Sequence, residues 1–370
     1  MNFAFGRMAP AVAVCDAPGV SWRLPSPARV LAAGLAAAVV AGCGGPSHPT
    51  RTLAVPTTAM DSTTPTTEPA TAPPAPPSTT ITTPPATTAA PPRQPRPYAV
   101  GTTSLSLTDD SRSTGSTPGR RLPTLVFYPI AGGAGPAEHG GAPALAGPWP
   151  LVVFAEGYNV TALTYHDLLH HLAEAGFVVA APAFPLETGG GPLDENDLQN
   201  EPADISFVIS QVLSSAPVRG ASIDHDRIGV VGHSDGAEAA LGAAFLPGSS
   251  DNRIGPVVSM AGQAILNGDH VVSAPVTHPL LVVQGSEDTI NPPDRSDHLY
   301  ATAPEPKAYL HLLGGGHLPP VASDTPWRPI VERVVVDWLD QEFGGFNAAG
   351  AGSRLGTDGT VPGLADLTRG

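Results

Sequence analysis

Cysteine is scarce in this 370-residue chain, and both cysteines, Cys15 and Cys43, lie close to the N-terminus. The rest of the chain therefore holds neither a disulfide framework nor a cysteine-based zinc site. Lysine occurs once, at Lys307, and acidic residues outnumber basic ones by 33 to 18, for a formal net charge of −15. Without basic runs, the chain lacks the charge pattern that binds nucleic acid or anionic lipid surfaces, so neither partner is expected.

Charged residues make up only 14 % of the chain and aromatic residues 5 %. These low contents argue against a coiled coil and against a solenoid of charged helices. Proline and glycine, by contrast, are abundant at 44 and 41 residues, and the prolines are concentrated towards the N-terminus. This uneven distribution predicts that one part of the chain is a linker and another part is a folded body.

The N-terminus has the pattern of an export signal. Three arginines precede an apolar run over Val30–Val40, which is about the length of a signal-peptide core and too short to span a bilayer. The run ends in Val40-Ala41-Gly42-Cys43, which resembles the lipobox of bacterial lipoproteins. That resemblance implies a signal peptide over 1–42, a lipid on Cys43, and a location on the outer face of the cytoplasmic membrane, with some protein secreted. The alternatives are an uncleaved anchor and a buried apolar helix.

The remainder divides into three segments by composition. Residues 43–97 begin with the lipidated cysteine and continue as a Pro/Thr-rich stretch without apolar periodicity, which predicts a disordered tether. Residues 98–344 are long enough for one sizeable core and are predicted to be the catalytic domain. The Gly-rich, aperiodic segment 345–370 is predicted to be a flexible tail.

Short apolar strands alternate with amphipathic helices along the predicted domain. This alternation predicts an α/β fold with a mostly parallel central sheet and helices on both faces. The predicted strands are 121–130, 150–155, 177–181, 227–232, 256–261, 279–284 and 309–313, and the predicted helices are 161–175, 203–214, 235–245 and 327–343.

A G-x-S-x-G sequence, Gly232–Gly236, lies between a predicted strand and a predicted helix. In that context the pentapeptide is typical of a nucleophile elbow, whose glycines allow a strained turn and close backbone contacts. The elbow would present Ser234 at the carboxyl end of the sheet. The alternative is a Gly-rich turn that carries a surface serine.

A nucleophilic serine requires a base and an acid that orients the base, and in this arrangement they follow in the order acid, then histidine. Asp288 follows the strand 279–284 and is the predicted acid, with Glu287 and Asp294 as alternatives. His317 lies in a Gly-rich loop after the last strand and is the predicted base. The competing interpretations are a helix-capping aspartate and a solvated loop histidine.

An oxyanion hole requires two backbone N–H groups near the serine. One is predicted to be that of Asp235, and the other that of Tyr158, with Gly157 as second choice. The side chains of Glu156 and Asp235 would then lie near the site and disfavour anionic substrates. Alternatively, Asp235 caps its helix and Glu156 faces solvent.

Two clusters have the composition of weak metal sites. His166 and His170 are spaced for one helix face, but an amphipathic structural helix is favoured. An acidic loop could bind calcium, but a solvated loop is favoured, and no metal is expected. The loop's acidic residues are Asp194, Glu195, Asp197 and Glu201.

The motifs together resemble the α/β-hydrolase superfamily, in the group that includes dienelactone hydrolases, platelet-activating-factor acetylhydrolases, chlorophyllases and cutinase-like polyester hydrolases. The resemblance rests on Val152–Tyr158, Gly232–Gly236, Gly285–Asp288 and Gly316-His317. It implies a serine esterase or lipase without metal or organic cofactor, which acts on a small ester or lipid-like substrate as a monomer. The alternative is a lipoprotein of the same fold that binds a ligand or transfers acyl groups without hydrolysis.

Overall fold

The computed structural model describes residues 96–214, 218–263, 278–344 and 347–370, which belong to one compact unit. The strands within these ranges are β1 (Tyr98–Thr114), β2 (Thr117–Gly133), β3 (Glu138–Gly140), β4 (Trp149–Ala155), β5 (Val178–Pro182), β6 (Ile223–His233), β7 (Ile254–Met260), β8 (Leu280–Gly285), β9 (Lys307–Leu312) and β10 (Ala365–Arg369). The helices are α1 (His166–Glu174), α2 (Glu201–Ser214), α3 (Asp235–Phe245), α4 (Pro293–Thr302), α5 (Pro319–Ala322), α6 (Arg328–Phe343) and α7 (Ala351–Gly359), with 3₁₀ helices at Ala162–Tyr165 and Glu195–Asn200.

In the described part of the chain, all these strands form one sheet in the order β10-β9-β8-β7-β6-β4-β5-β2-β1-β3. Strands β4 to β9 pair in parallel with one another, whereas β2 is antiparallel to β5, β1 to β2, and β10 to β9. The mostly parallel sheet predicted from the sequence is therefore confirmed.

The central strands of the sheet are buried on both faces. Successive side chains point to opposite sides, and helices cover each side. In β6, for example, Val230 packs in one core and Val231 in the other. Helices α2 and α3 contribute to the first core, and α1 and α6 contribute to the second. This double coverage explains why the central strands appear in the sequence as continuous apolar runs.

The parallel strands end at one edge of the sheet, which collects the loops that carry polar side chains. Ser234 follows β6, Asp288 follows β8 and His317 follows β9. The loop after β4, which contains Tyr158, opens at the same edge. Side chains far apart in sequence are thereby brought together.

The prediction of a flexible tail at 345–370 is wrong, because helix α7 and strand β10 form there and complete the sheet. Strand β10 pairs with β9, and Leu355 of α7 is fully buried in the second core. Arg354 binds the carboxylate of Asp337 on α6 at 2.7 Å. The Gly-rich composition of this segment did not indicate that a few side chains, among them Leu355 and Arg354, attach it to the domain.

Strand β1 was not predicted, and β2 is longer than predicted. The two form an antiparallel hairpin whose outer part is half exposed, so it lacks the continuous apolar runs of the central strands. The proposed signal peptide, Cys43 and most of the tether lie outside the described residues and stay predictions. None of the described helices is long and apolar enough to cross a membrane.

Candidate active site

Ser234 occupies a strained turn between β6 and α3, with φ +57° and ψ −125°. A left-handed conformation is unusual for a residue with a side chain, and it is held by the close packing of the flanking glycines. A Cβ atom on Gly232 would lie 2.1 Å from the carbonyl oxygen of Gly236. A Cβ atom on Gly236 would lie 2.3 Å from that of Ala155. The elbow therefore requires glycine at both positions.

Ser234, His317 and Asp288 form a continuous hydrogen-bonded chain. The hydroxyl of Ser234 lies 3.0 Å from Nε2 of His317, and Nδ1 of His317 lies 2.8 Å from Oδ2 of Asp288. With Nδ1–H donating to the carboxylate, Nε2 is free to accept the serine proton. The geometry is that of a nucleophile, a base and an orienting acid.

Asp288 is itself held in place from several sides. Its Oδ1 accepts hydrogen bonds from the backbone N–H groups of Ile290 and Asn291, both at 2.9 Å. The Gln284 amide donates to Oδ2 at 3.1 Å. Neither alternative acid, Glu287 or Asp294, is hydrogen-bonded to His317 in the described structure.

His233, which precedes the serine, connects the two loops around the site and was not identified from the sequence. Its Nε2–H donates to the carbonyl oxygen of His317 at 3.1 Å, so Nδ1 accepts from the Tyr165 hydroxyl at 2.8 Å. Burial, with a contribution from His317, lowers the pKa of His233 to about 3, so the ring is neutral. The only available sequence signal was its position between Gly232 and Ser234.

The oxyanion candidates differ in whether their N–H groups are already engaged. The N–H of Gly157 donates to the Tyr165 hydroxyl at 3.2 Å. The N–H of Asp235, at the start of α3, has no intrahelical acceptor. The N–H of Tyr158 has no acceptor among the described residues either. Tyr158 and Asp235 are thus the residues whose donors remain available beside Ser234.

Neither interpretation of Glu156 is correct. The side chain does not face solvent, and it does not line the pocket in front of Ser234. Its side chain is 1 % exposed and accepts a hydrogen bond from the Thr188 hydroxyl. Burial raises the pKa of Glu156 to about 7, although the bond from Thr188 opposes the rise. Asp235 does line the pocket, and the second acid there is Glu195.

Each of the two weak metal candidates contains side chains that are held by other contacts. His166 and His170 both contact Oε1 of Glu138, at 2.9 and 3.1 Å. Asp197 of the acidic loop binds Arg120 at 2.8 Å. Across the described ranges, no group of three or more His, Cys, Asp or Glu side chains is arranged to hold a metal ion.

Two family models match parts of the chain that carry this site. The chlorophyllase family model matches residues 141–261, which include Ser234. The serine hydrolase (FSH1) family model matches residues 218–326, which include Ser234, Asp288 and His317.

Solved structures share the fold. A ferulic acid esterase from Streptomyces cinnamoneus superimposes with a TM-score of 0.55 at 20 % sequence identity, covering 69 % of this chain and 92 % of that chain. At this identity the likeness concerns the fold alone. No curated protein sequence matches the chain. With the sheet topology, these matches show that the chain belongs to the α/β-hydrolase superfamily and is a carboxylic ester hydrolase of the serine type.

Proposed function

We propose that the protein hydrolyses carboxylic esters through an acyl-enzyme on Ser234. The single observation that carries this proposal is the hydrogen-bonded chain from the Ser234 hydroxyl through His317 to Asp288. A serine hydroxyl is a weak nucleophile unless a neighbouring base accepts its proton, and His317 is positioned to do so.

In the proposed mechanism, Nε2 of His317 takes the proton as Oγ of Ser234 attacks the ester carbonyl carbon. The same proton then passes to the departing alcohol, which leaves an acyl group on Ser234. Water then attacks the acyl group in the same way, and His317 takes its proton. The proton returns to Ser234 as the acid is released. Asp288 keeps the imidazole in the correct tautomer and stabilises the imidazolium that forms in each half-reaction.

The tetrahedral intermediates carry negative charge on the former carbonyl oxygen. The N–H groups of Asp235 and Tyr158 are the proposed donors to this oxygen, because both lack another acceptor among the described residues. The Gly157 N–H instead supports the loop through Tyr165. Donors that are oriented in advance stabilise the charge without reorganisation during the reaction.

The test is turnover of a p-nitrophenyl ester with a short acyl chain. Ser234→Ala should lower kcat by at least about a thousandfold with the fold intact, and Asp288→Asn by about 10⁴-fold because the amide favours the wrong His317 tautomer. Ser250→Ala, an exposed serine beyond the far end of α3, is the matched control. Retained activity in Ser234→Ala would contradict the proposal. Predominant acyl transfer to an added alcohol would instead favour a transferase.

We also propose that the protein is exported and held at the membrane surface as a monomer through a lipid on Cys43. The support is the lipobox-like Val40-Ala41-Gly42-Cys43 and the Pro/Thr-rich stretch that separates it from β1. Cys43→Ala should release the protein without changing the specific activity of the soluble enzyme. A mature N-terminus other than Cys43, without lipid mass, would contradict this proposal.

A further inference from the structure

The cavity in front of Ser234 has a volume of about 410 Å³ and an uneven charge distribution. Its charged wall residues are Glu195 and Asp235, and no lysine or arginine lines it among the described residues. Among the described residues that line the pocket, the only basic types are therefore the histidines His233 and His317.

The carboxylate of Asp235 points to a cationic ligand because no lysine or arginine lines the pocket beside it among the described residues. It makes no hydrogen bond or ion pair with another described residue. Burial raises the pKa of Asp235 and Glu195 adds to the rise, while His317 opposes it. Asp235 and Glu195 thus repel each other, and a positive charge between them would relieve that repulsion.

Elsewhere in the fold, buried aspartates have arginine partners. Asp251 binds Arg253 at 2.5 Å, and Asp340 binds Arg96 at 2.7 Å. Asp235, which is half-buried and directly follows Ser234 in the sequence, has no such partner among the described residues.

Aromatic rings complete the wall. Tyr158 and Tyr165 both line the pocket, and Tyr158 is 37 % exposed. Partial burial and the surrounding acids, among them Glu187 and Glu195, raise the pKa of the Tyr158 hydroxyl, which stays neutral. The face of an electron-rich ring attracts an ammonium group, most strongly where water is partly excluded.

We infer that this pocket selects esters that carry a positive charge, with an ammonium group held by Asp235, Glu195 and the ring of Tyr158. The inference rests on the proposed function, because it names the substrate class of the same site. The ester bond is cleaved as described above, and the ammonium group takes no part in the covalent steps. The apolar side chains of Val160, Ile290 and Leu318 line the rest of the cavity and suit an alkyl chain.

The experiment compares three butyrate esters of equal size. They are butyrylcholine, its neutral isostere with carbon in place of the quaternary nitrogen, and an analogue with a carboxylate in place of the ammonium group. In wild type, kcat/KM should fall in that order, by about fivefold or more at each step, and the differences should shrink between about 0.01 M and about 1 M salt.

Two variants test whether Glu195 and Asp235 cause the preference for the cationic ester. Glu195→Gln and Asp235→Asn should each reduce the cation-to-neutral ratio of kcat/KM by about threefold or more, and the double variant by more than either. Glu305→Gln removes an exposed acid in the turn before β9, at the opposite edge of the sheet, and should leave the ratio unchanged. The ratio is used because it cancels any general loss of activity.

The outcomes separate the two proposals. If no ester is turned over in a Ser234-dependent manner, the proposed function fails. If the neutral ester is turned over and the cationic ester is not preferred, only the inference on charge is overturned. A preference that persists in the double variant would also overturn it, because the acids would then not be the cause.

Discussion

Helix α2 begins between two groups of buried carboxylates that differ in whether an arginine faces them. On the side of the β1–β2 hairpin, Asp204 and Asp197 each lie 2.8 Å from the guanidinium of Arg120, which is fully buried. Burial opposes the charge on Arg120, but its bonds to the two aspartates outweigh burial and raise the pKa of the guanidinium. Arg112 is a second arginine that donates to Asp204.

On the side of the active site, Glu156, Glu187 and Glu201 are each 1 % exposed and have no arginine partner in the described structure. Both carboxyl oxygens of Glu187 and of Glu201 lack any hydrogen-bond partner among the described residues. Burial, with repulsion from neighbouring acids, raises the pKa of Glu187 to about 8 and that of Glu201 well above its ordinary value.

The comparison shows two ways of keeping acids inside a protein. Where arginines are present, ion pairs with Asp197 and Asp204 attach the hairpin to the 3₁₀ helix Glu195–Asn200 and to α2. Where none is present, protonation removes the charge, because an isolated carboxylate is too costly to bury. The second group adjoins the loop that contains Tyr158, since the backbone carbonyl of Glu187 accepts from the N–H of Asn159 at 2.7 Å.

Removal of the central arginine should have the largest effect. Arg120→Leu leaves Asp197 and Asp204 buried without their main partner, so the free energy of unfolding should fall by about 3–5 kcal/mol at neutral pH. Urea denaturation measures the change. Arg121→Leu, an exposed neighbour, is the control and should change it by about 0.5 kcal/mol or less. Equal effects of the two substitutions would show that the buried network is unimportant.

Neutralising one acid from each group sharpens the contrast, because Asp204 and Glu201 both lie in the first turn of α2. At pH 6, Asp204→Asn should cost about 2–4 kcal/mol because two arginines lose a charged partner. Glu201→Gln should cost less than about 1 kcal/mol, because burial raises the pKa of Glu201 well above its ordinary value and favours the neutral acid, which the amide resembles. Similar losses would contradict the assignment of different charge states.

The unpaired acids should also make stability depend on pH. The pKa values of Glu156 and Glu187 are raised to about 7 and about 8 in the folded state. The contribution of these two carboxyl groups to the free energy of unfolding is therefore complete below their ordinary pKa. It is lost as pH rises through 7 and 8. Unfolding free energy should fall by about 1–3 kcal/mol between about pH 6 and about pH 9.

Urea unfolding at constant salt across that range measures this fall. Glu187→Gln should flatten the profile, because the amide cannot ionise. The exposed Glu305→Gln should leave the slope unchanged. A flat wild-type profile would mean that these carboxyl groups ionise without cost and are not isolated from water.

The smallest effect is expected at the rim of the arginine network. The side chain of Arg112 is 26 % exposed and binds Asp109 and Asp204. Arg112→Ala should lower the unfolding free energy by about 1 kcal/mol, and high salt should reduce that difference because exposed pairs are screened. A loss equal to that of Arg120→Leu would show that exposure does not separate the two arginines.

The features that could be predicted from the sequence are those that depend on local pattern. Apolar runs in 150–155 and 227–232 predicted buried parallel strands, and the strand–turn–helix context of Ser234 predicted the elbow. The order of the later strands indicated Asp288 and His317, because parallel strands bring their carboxyl ends to one edge, but it left Glu287 and Asp294 as alternative acids. The structure places the three side chains in one hydrogen-bonded chain, as their order suggested.

Other features depend on contacts between distant residues, which no local pattern contains. Arg120 binds Asp204, which is 84 residues away in the sequence, and Arg96 binds Asp340, which is 244 residues away. The hydrogen bonds of His233 to Tyr165 and to the loop of His317 likewise join distant segments.

The sequence by itself determined the central strands and the main helices, the sharp turn at Ser234 and the acidic balance of the chain, because these follow from residue size, backbone freedom and charge. Only the tertiary structure decided which acids are paired, which are buried alone and which line the pocket. The residue types of Glu156, Glu195 and Asp197 do not indicate that Glu156 is buried, that Glu195 lines the pocket or that Asp197 binds Arg120. The energy of a carboxylate depends on the water and the cations around it, and folding alone decides where those are.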